Sequence, residues 1–165
     1  DKEVVFAAVT SHGTALYYAN DTLKADKEVV LEAVKNNGFA LKYAAEPLQQ
    51  DKEIFLEAKK TVLAKVKEDG TALYHASNTL KSDKEVVLAA VTQNGEALEH
   101  ANNTLKSDKE VVLAAVTKNG SALKHASNTL KSDKEVVLAA VTQKSDKEVV
   151  LAAVTQRSGA CSCRK

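Results

Sequence analysis

Apolar side chains recur along this chain in two alternating patterns, a broad one and a narrow one, separated by a glycine. In the stretch that begins at Asp83, Val86, Val87, Ala90 and Val91 fall at i, i+1, i+4 and i+5, a wide helical stripe that needs neighbours on more than one side. After Asn94-Gly95 the stripe narrows to Ala97, Leu98 and Ala101, with Leu105 anchoring the turn that follows. Neither pattern alternates residue by residue, so the β-branched run reads as helix rather than strand. The expected unit is a hairpin of two short helices, the second lined with small alanines that let the pair approach closely.

The unit is repeated. Asp-Lys-Glu begins at Asp1, Asp26, Asp51, Asp83, Asp108, Asp133 and Asp146, so the spacings are 25, 25, 32, 25, 25 and 13 residues. A fixed period of this size is the signature of an array in which each unit covers the apolar face of the next. The fold class expected is all-α, an α-solenoid of stacked short helical hairpins on a 25-residue repeat. Its units are 1–25, 26–50, 51–82, 83–107 and 108–132, then truncated units 133–145 and 146–156 and a flexible tail 157–165.

Local punctuation supports helices. Ser82-Asp83-Lys84-Glu85 has the Ser-x-x-Glu form of a capping box, repeated at Ser107, Ser132 and Ser145. Where Ala25 or Gln50 replaces that serine, the aspartate that follows is the expected cap. A glycine lies twelve residues after the Asp at Gly13, Gly38, Gly95 and Gly120, where a left-handed helix terminus would favour it. Pro47 replaces the threonine of Thr22, Thr79, Thr104 and Thr129, so the second helix of that unit is expected to stop near Ala45.

The pattern breaks in two places. The third unit is seven residues longer than its neighbours, and Ile54, Phe55, Ala58, Val62, Leu63 and Val66 keep helical periodicity through the added length. Its first helix is expected to project beyond the others and to serve as a contact element. Residues 131–143 and 144–156 are one thirteen-residue string in duplicate, lacking the glycine and the second helix. Val136 to Val141 and Val149 to Val154 are therefore expected to leave apolar surface at the carboxyl end, through which self-association is possible.

Asp-Lys-Glu-Val-Val-Leu-Ala-Ala-Val, then Asn-Gly, then Ala-Leu-x-His/Tyr-Ala-Ser/Asn, then Leu-Lys-Ser-Asp recurs from residue 1 to about 156. This pattern resembles the repeat of domain-of-unknown-function family 4116. The resemblance implies a tandem helical array and carries no established activity. The long third unit and the halved last units depart from it.

Composition narrows the function classes. The 23 basic and 22 acidic side chains give a net charge of +1 and are interleaved within each unit, so no electrostatic partner is implied. Nearly neutral units also lack the cationic groove of an RNA-reading array, and no nucleic-acid partner is expected. With 44% hydrophobic and 27% charged residues, the balance is that of a folded, water-soluble chain. The longest apolar runs are six residues, far short of the ~20 of a membrane span. The chain has no Met, which suggests a processed product or a fragment, and nothing in it fixes a compartment.

Candidate chemistry is sparse. His75, His100 and His125 occupy one place in three units, with Tyr18 and Tyr43 there in earlier ones, and His12 lies apart at a helix end. Helices ~8–10 Å apart cannot bring such histidines onto one ion held at ~2 Å, so the ladder reads as packing. Cys161 and Cys163 form a Cys-x-Cys that completes no zinc site and reads as tail. Seven copies of Asp-Lys-Glu mark a fold rather than one secluded acid–base pair, and no Walker or nucleophile-elbow motif is present. No catalytic, cofactor or metal residues are assigned.

The reading is a non-enzymatic protein-binding or scaffolding module with a protein partner or larger complex, and the alternative is an accessory ligand-binding domain of a larger protein or enzyme. The residues expected to meet a partner are Phe55, Lys59, Lys60, Val62 and Lys65 of the long helix, with Tyr74, His75, His100 and His125.

Overall fold

The computed structural model describes residues 1–142, all of it helix and turn without a strand among them. One long helix opens each unit: α1 Lys2–Ser11, α3 Lys27–Asn36, α5 Lys52–Glu68, α7 Lys84–Gln93, α8 Lys109–Lys118 and α10 Lys134–Thr142. The segment after each glycine is not a second α-helix. It is a six-residue 3-10 turn (Gly13–Tyr18, Gly38–Tyr43, Gly70–His75, Gly95–His100, Gly120–His125) followed by a single short turn of helix. Four of those short turns are α2 Asp21–Lys24, α4 Glu46–Gln49, α6 Asn78–Lys81 and α9 Asn128–Lys131, and Leu105–Ser107 is the 3-10 equivalent in unit four. Each 3-10 turn ends at the same alanine, whether Ala19, Ala44, Ala76, Ala101 or Ala126, so the stop near Ala45 is common to all units. Pro47 sits in the first turn of α4, where its missing N–H leaves no bond unmade.

Two local expectations are corrected. The long helices are capped by aspartate in every described case: as expected, Asp26 Oδ1 accepts from Glu28 and Val29 and Asp51 Oδ1 from Glu53 and Ile54, but where a serine cap was expected Asp83 Oδ1 accepts from Val86 and Asp108 Oδ1 from Val111. The preceding serine belongs to the turn behind it, Ser82 Oγ donating to the Asn78 carbonyl and Ser107 Oγ to that of Asn103. The glycines are not left-handed, for no described residue has a positive φ. A methyl group on Gly95 would strike the carbonyl of Ala115 in the next unit, and Gly13, Gly70 and Gly120 meet Ala33, Ala90 and Ala140 in the same way. Close approach between units, not a turn conformation, requires glycine.

The units stack in sequence order. All the strongest contacts join elements of the same or adjacent units, α1 to α3, α3 to α5, α5 to α7, α7 to α8 and α8 to α10, as an α-solenoid requires. Each joint buries the aliphatic stripe: Val29, Val30, Ala33, Val34 and Leu41 of unit two are fully buried, as are Val86, Val87, Ala90, Val91 and Leu98 of unit four. The Asp-Lys-Glu triplet ties the same joints. Lys84 Nζ lies 2.7 Å from both Asp108 and Glu110, and Lys109 lies 3.0 Å from Asp133 and 2.8 Å from Glu135. One triplet thus supplies a helix cap, a lysine for the unit ahead and a carboxylate pair for the lysine behind.

The long third helix fits this scheme twice. Toward unit two, α5 is in register at its amino end: Lys27 clamps Asp51 and Glu53, and Gly38 abuts the carbonyl of Ala58. Toward unit four it is in register at its carboxyl end, where Lys59, not Lys52, clamps Asp83 at 2.8 Å and Glu85 at 2.9 Å. Seven extra residues are two turns, so the later units are displaced by about 10 Å along the helix axis relative to the first two. The helix projects as expected, but at both ends, once past each neighbour.

Candidate interaction surface

The last two residues of each 3-10 turn point away from the buried leucine of that turn and form one edge of the stack. Along it run Tyr17 and Tyr18, Lys42 and Tyr43, Tyr74 and His75, Glu99 and His100, then Lys124 and His125. Leu16, Leu41, Leu73 and Leu98 beneath them are fully buried and fix the turns that hold the rings. Tyr17, Tyr18 and Tyr74 are 55%, 86% and 61% exposed, large apolar rings in water.

The rings meet across units. Tyr17 packs edge-on against Tyr43 with centroids 5.1 Å apart, and Tyr74 does the same with His100 at 5.1 Å. At the step the ladder is broken, and only Phe39 with His75, at 6.2 Å, spans it. Lysines of the same edge lie over ring faces: Lys42 Nζ is 4.8 Å from the Tyr43 centroid and Lys81 Nζ 5.8 Å from that of Tyr74. Burial, and then the charge of Lys42, pushes the Lys81 pKa down. Burial likewise lowers that of His100, with Lys81, Lys106 and His125 adding to it against the opposing Glu99.

The densest polar cluster joins units four and five. Glu96 accepts hydrogen bonds from the Ser121 hydroxyl, from Lys124 Nζ at 2.9 Å and from His125 Nε2 at 3.1 Å. These bonds, Ser121's foremost, bring the Glu96 pKa down to about 2. A serine, a histidine and a carboxylate are the components of a nucleophilic site, but here the serine hydroxyl donates to the carboxylate and does not face the ring nitrogen. The arrangement is a polar lock between units. It was not anticipated from the sequence, where the only signal was that Glu96 and Ser121 hold a place filled by Thr14, Phe39 and Thr71 in other units.

The residues expected to meet a partner are scattered by the structure. Val62 is fully buried and Phe55 half-buried, so both serve the stack. Lys59, its side chain 18% exposed, belongs to the inter-unit clamp, while Lys60 is exposed and Lys65 pairs with Glu68 at 3.2 Å. Thr61 and Lys65 stand where an ordinary unit has valine and alanine, and the overhang of α5 past unit two leaves a notch of about 320 Å³ lined by Phe39, Thr61, Ala64 and Lys65. Tyr74 and His75 are exposed, and His100 and His125 are half-buried. Tyr17, Tyr18 and Tyr43 complete the edge; Tyr18 and Tyr43 were read from the sequence as places in the packing ladder, and Tyr17 was not singled out. Cys161 and Cys163, and the copy of the repeat at 144–156, lie outside the described residues. Among the described residues, no helix is long and apolar enough to cross a membrane.

The profile of a family described as a domain of unknown function (DUF4116) matches residues 1–49, 26–61, 51–106 and 108–145 in overlapping segments. No curated protein and no solved structure matches the chain.

Proposed function

The chain belongs to the DUF4116 family, and from the ring-bearing edge we propose that it is a non-enzymatic repeat module that holds a protein partner. The observation that carries this reading is the exposure of Tyr17, Tyr18 and Tyr74 on one edge. Rigid aromatic rings with a polar tip lose little conformational freedom on contact and are enriched at binding hot spots. Lys24 and Lys81, laid over Tyr17 and Tyr74, add cations that an acceptor can meet. The step at α5 divides the edge into two separately placed segments, which suits a scaffold that fixes one partner against a shaped surface.

A photoreactive amino acid placed at Tyr18 or Tyr74 should cross-link to a protein partner in cells that express the chain. The same probe at Glu53, in the ion-pair clamp between units two and three, should not. Equal capture at all three positions, or at none, would remove the edge as the binding surface.

A further inference from the structure

Successive 3-10 turns pack side by side from unit one to unit two and from unit three onward, but Gly38–Tyr43 and Gly70–His75 are parted by the step in α5. The notch lined by Phe39, Thr61, Ala64 and Lys65 lies there, and at about 320 Å³ it has room for one large apolar side chain. Phe39 stands where other units have Thr14, Thr71, Glu96 and Ser121, so the aromatic wall of the notch belongs to this joint alone. Lysines surround it. Lys42 is three residues on from Phe39 in a 3-10 turn, where side chains three apart lie one above the other, and its Nζ is 4.8 Å from the Tyr43 centroid. Across the step, Lys81 Nζ is 5.8 Å from the centroid of Tyr74, whose ring is 5.0 Å from that of His75, and His75 meets Phe39. Burial lowers the Lys81 pKa and the charge of Lys42 lowers it further, so the two amines share one neighbourhood. Both side chains are half-buried, and among the described residues neither is in an ion pair. Lys65 has only the exposed Glu68, at 3.2 Å.

We propose that the step takes an acidic segment of a partner protein, with one large apolar side chain seated in the notch and the carboxylates beside it on Lys42 and Lys81. This names the kind of partner the ring-bearing edge holds, and it rests on that edge being a binding surface. The joints of the same molecule show the chemistry such an amine accepts. Half-buried Lys59 closes on Asp83 and Glu85, and half-buried Lys84 on Asp108 and Glu110, a carboxylate pair beside aliphatic side chains in both cases. Lys42 and Lys81 have the same burial and stand beside the same kind of apolar contact, without the carboxylates. A nucleic acid fits less well, because bases would stack on the ring faces of Tyr43 and Tyr74, over which the two lysines already lie.

Panning a displayed library of random dodecapeptides on the purified chain tests this. The enriched peptides should carry carboxylates next to a leucine, phenylalanine or tyrosine. Synthesised with a fluorescent label, such a peptide should bind about tenfold or more weakly to a Lys42→Glu, Lys81→Glu variant, and likewise to Ala64→Phe, which fills the notch from an exposed position of α5. Should the charge-reversed pair lose helix by circular dichroism, Lys42→Gln with Lys81→Gln serves. Tyr18→Ser, in the first unit, should leave the peptide's affinity unchanged. Enriched peptides without carboxylates, or peptides that the variants bind as well as the parent does, would overturn the proposal and leave the cross-links at Tyr18 and Tyr74 standing. A library that enriches nothing would overturn it too, and those cross-links then decide alone whether the edge is a binding surface. So would an oligouridylate that displaces the peptide with the same lysine dependence, or a mass above the monomer's in sedimentation that the lysine variants abolish, which would give the step to a nucleic acid or to a second copy of the chain.

Discussion

Replacing Gly95 by alanine places a methyl group against the carbonyl of Ala115, with the Asn119 backbone nitrogen and Cβ each 3.0 Å away. Two effects oppose each other. Because φ at Gly95 is not positive, alanine fits the local backbone and removes freedom from the unfolded chain, a gain of about 0.4–1 kcal/mol. Against it stands a collision with backbone atoms of a neighbouring helix, which cannot rotate away as a side-chain tip would. Overpacking of this kind costs about 1–3 kcal/mol, so the net effect should be a loss of about 1–2 kcal/mol. With a urea dependence of about 2 kcal/mol/M, the unfolding midpoint should fall by about 0.5–1 M. Gly95→Asn should fall at least as far. That second variant matters because asparagine tolerates a left-handed terminus, and a glycine kept for its conformation would accept it. A Gly95→Ala protein as stable as the parent, or an asparagine variant more stable than the alanine one, would refute the close-approach explanation.

Glu96, held near pKa 2 from an ordinary 4.5, contributes stability that is present above the unfolded value and lost as pH falls from about 4.5 toward about 2. Urea midpoints measured across that range should decline for the parent and decline less for Glu96→Gln. The two-register account of α5 sets Lys59→Met apart from Lys52→Met: the first leaves the half-buried Asp83 without its cation and should cost about 1 kcal/mol, while the second should change stability by less than about 0.5 kcal/mol. Equal effects in thermal unfolding would mean that α5 does not divide its length between its neighbours.

The period, the apolar stripe and the stacking were legible because they depend on residue spacing, which each unit states again. Less legible was how the residues after the glycine fold. Ala97, Leu98 and Ala101 suit a helix by type, yet the six residues close three apart, ending with the Ala101 N–H on the Leu98 carbonyl, and the side chain of Asn94 already takes the amide of Glu96. The caps were misassigned by one residue because Ser82 and Asp83 are both competent caps, and only the turn from α6 decides that the serine hydroxyl looks backward. The glycine was placed correctly and explained wrongly, since a collision with the next unit leaves no mark in the local sequence. The candidate surface was half visible: Tyr74 and His75 were named, but Phe55, Lys59 and Val62 were credited to a surface when the register of α5 turns them to its neighbours.

Part of what varies between units lies along the ring-bearing edge. The positions that repeat, the valines, the glycine and the Asp-Lys-Glu triplet, are occupied with joining one unit to the next, so changing any of them changes the stack. Positions that differ within the chain include Thr14, Phe39, Thr71, Glu96 and Ser121, and beside them Tyr17, Lys42, Tyr74, Glu99 and Lys124, besides others at the end of the long helix such as Ser11, Asn36, Gln93 and Lys118. The first two sets, Thr14 to Ser121 and Tyr17 to Lys124, lie in the 3-10 turns, on or next to the ring-bearing edge. A surface whose side chains change from unit to unit over an invariant frame can present a distinct sequence of contacts, whereas the clamp edge presents the same ion pair again and again. On the proposed reading the 3-10 edge is where partners are distinguished, and exchanging Tyr74 with Lys42 should alter what binds there while leaving the stability of the array within about 0.5 kcal/mol of its starting value.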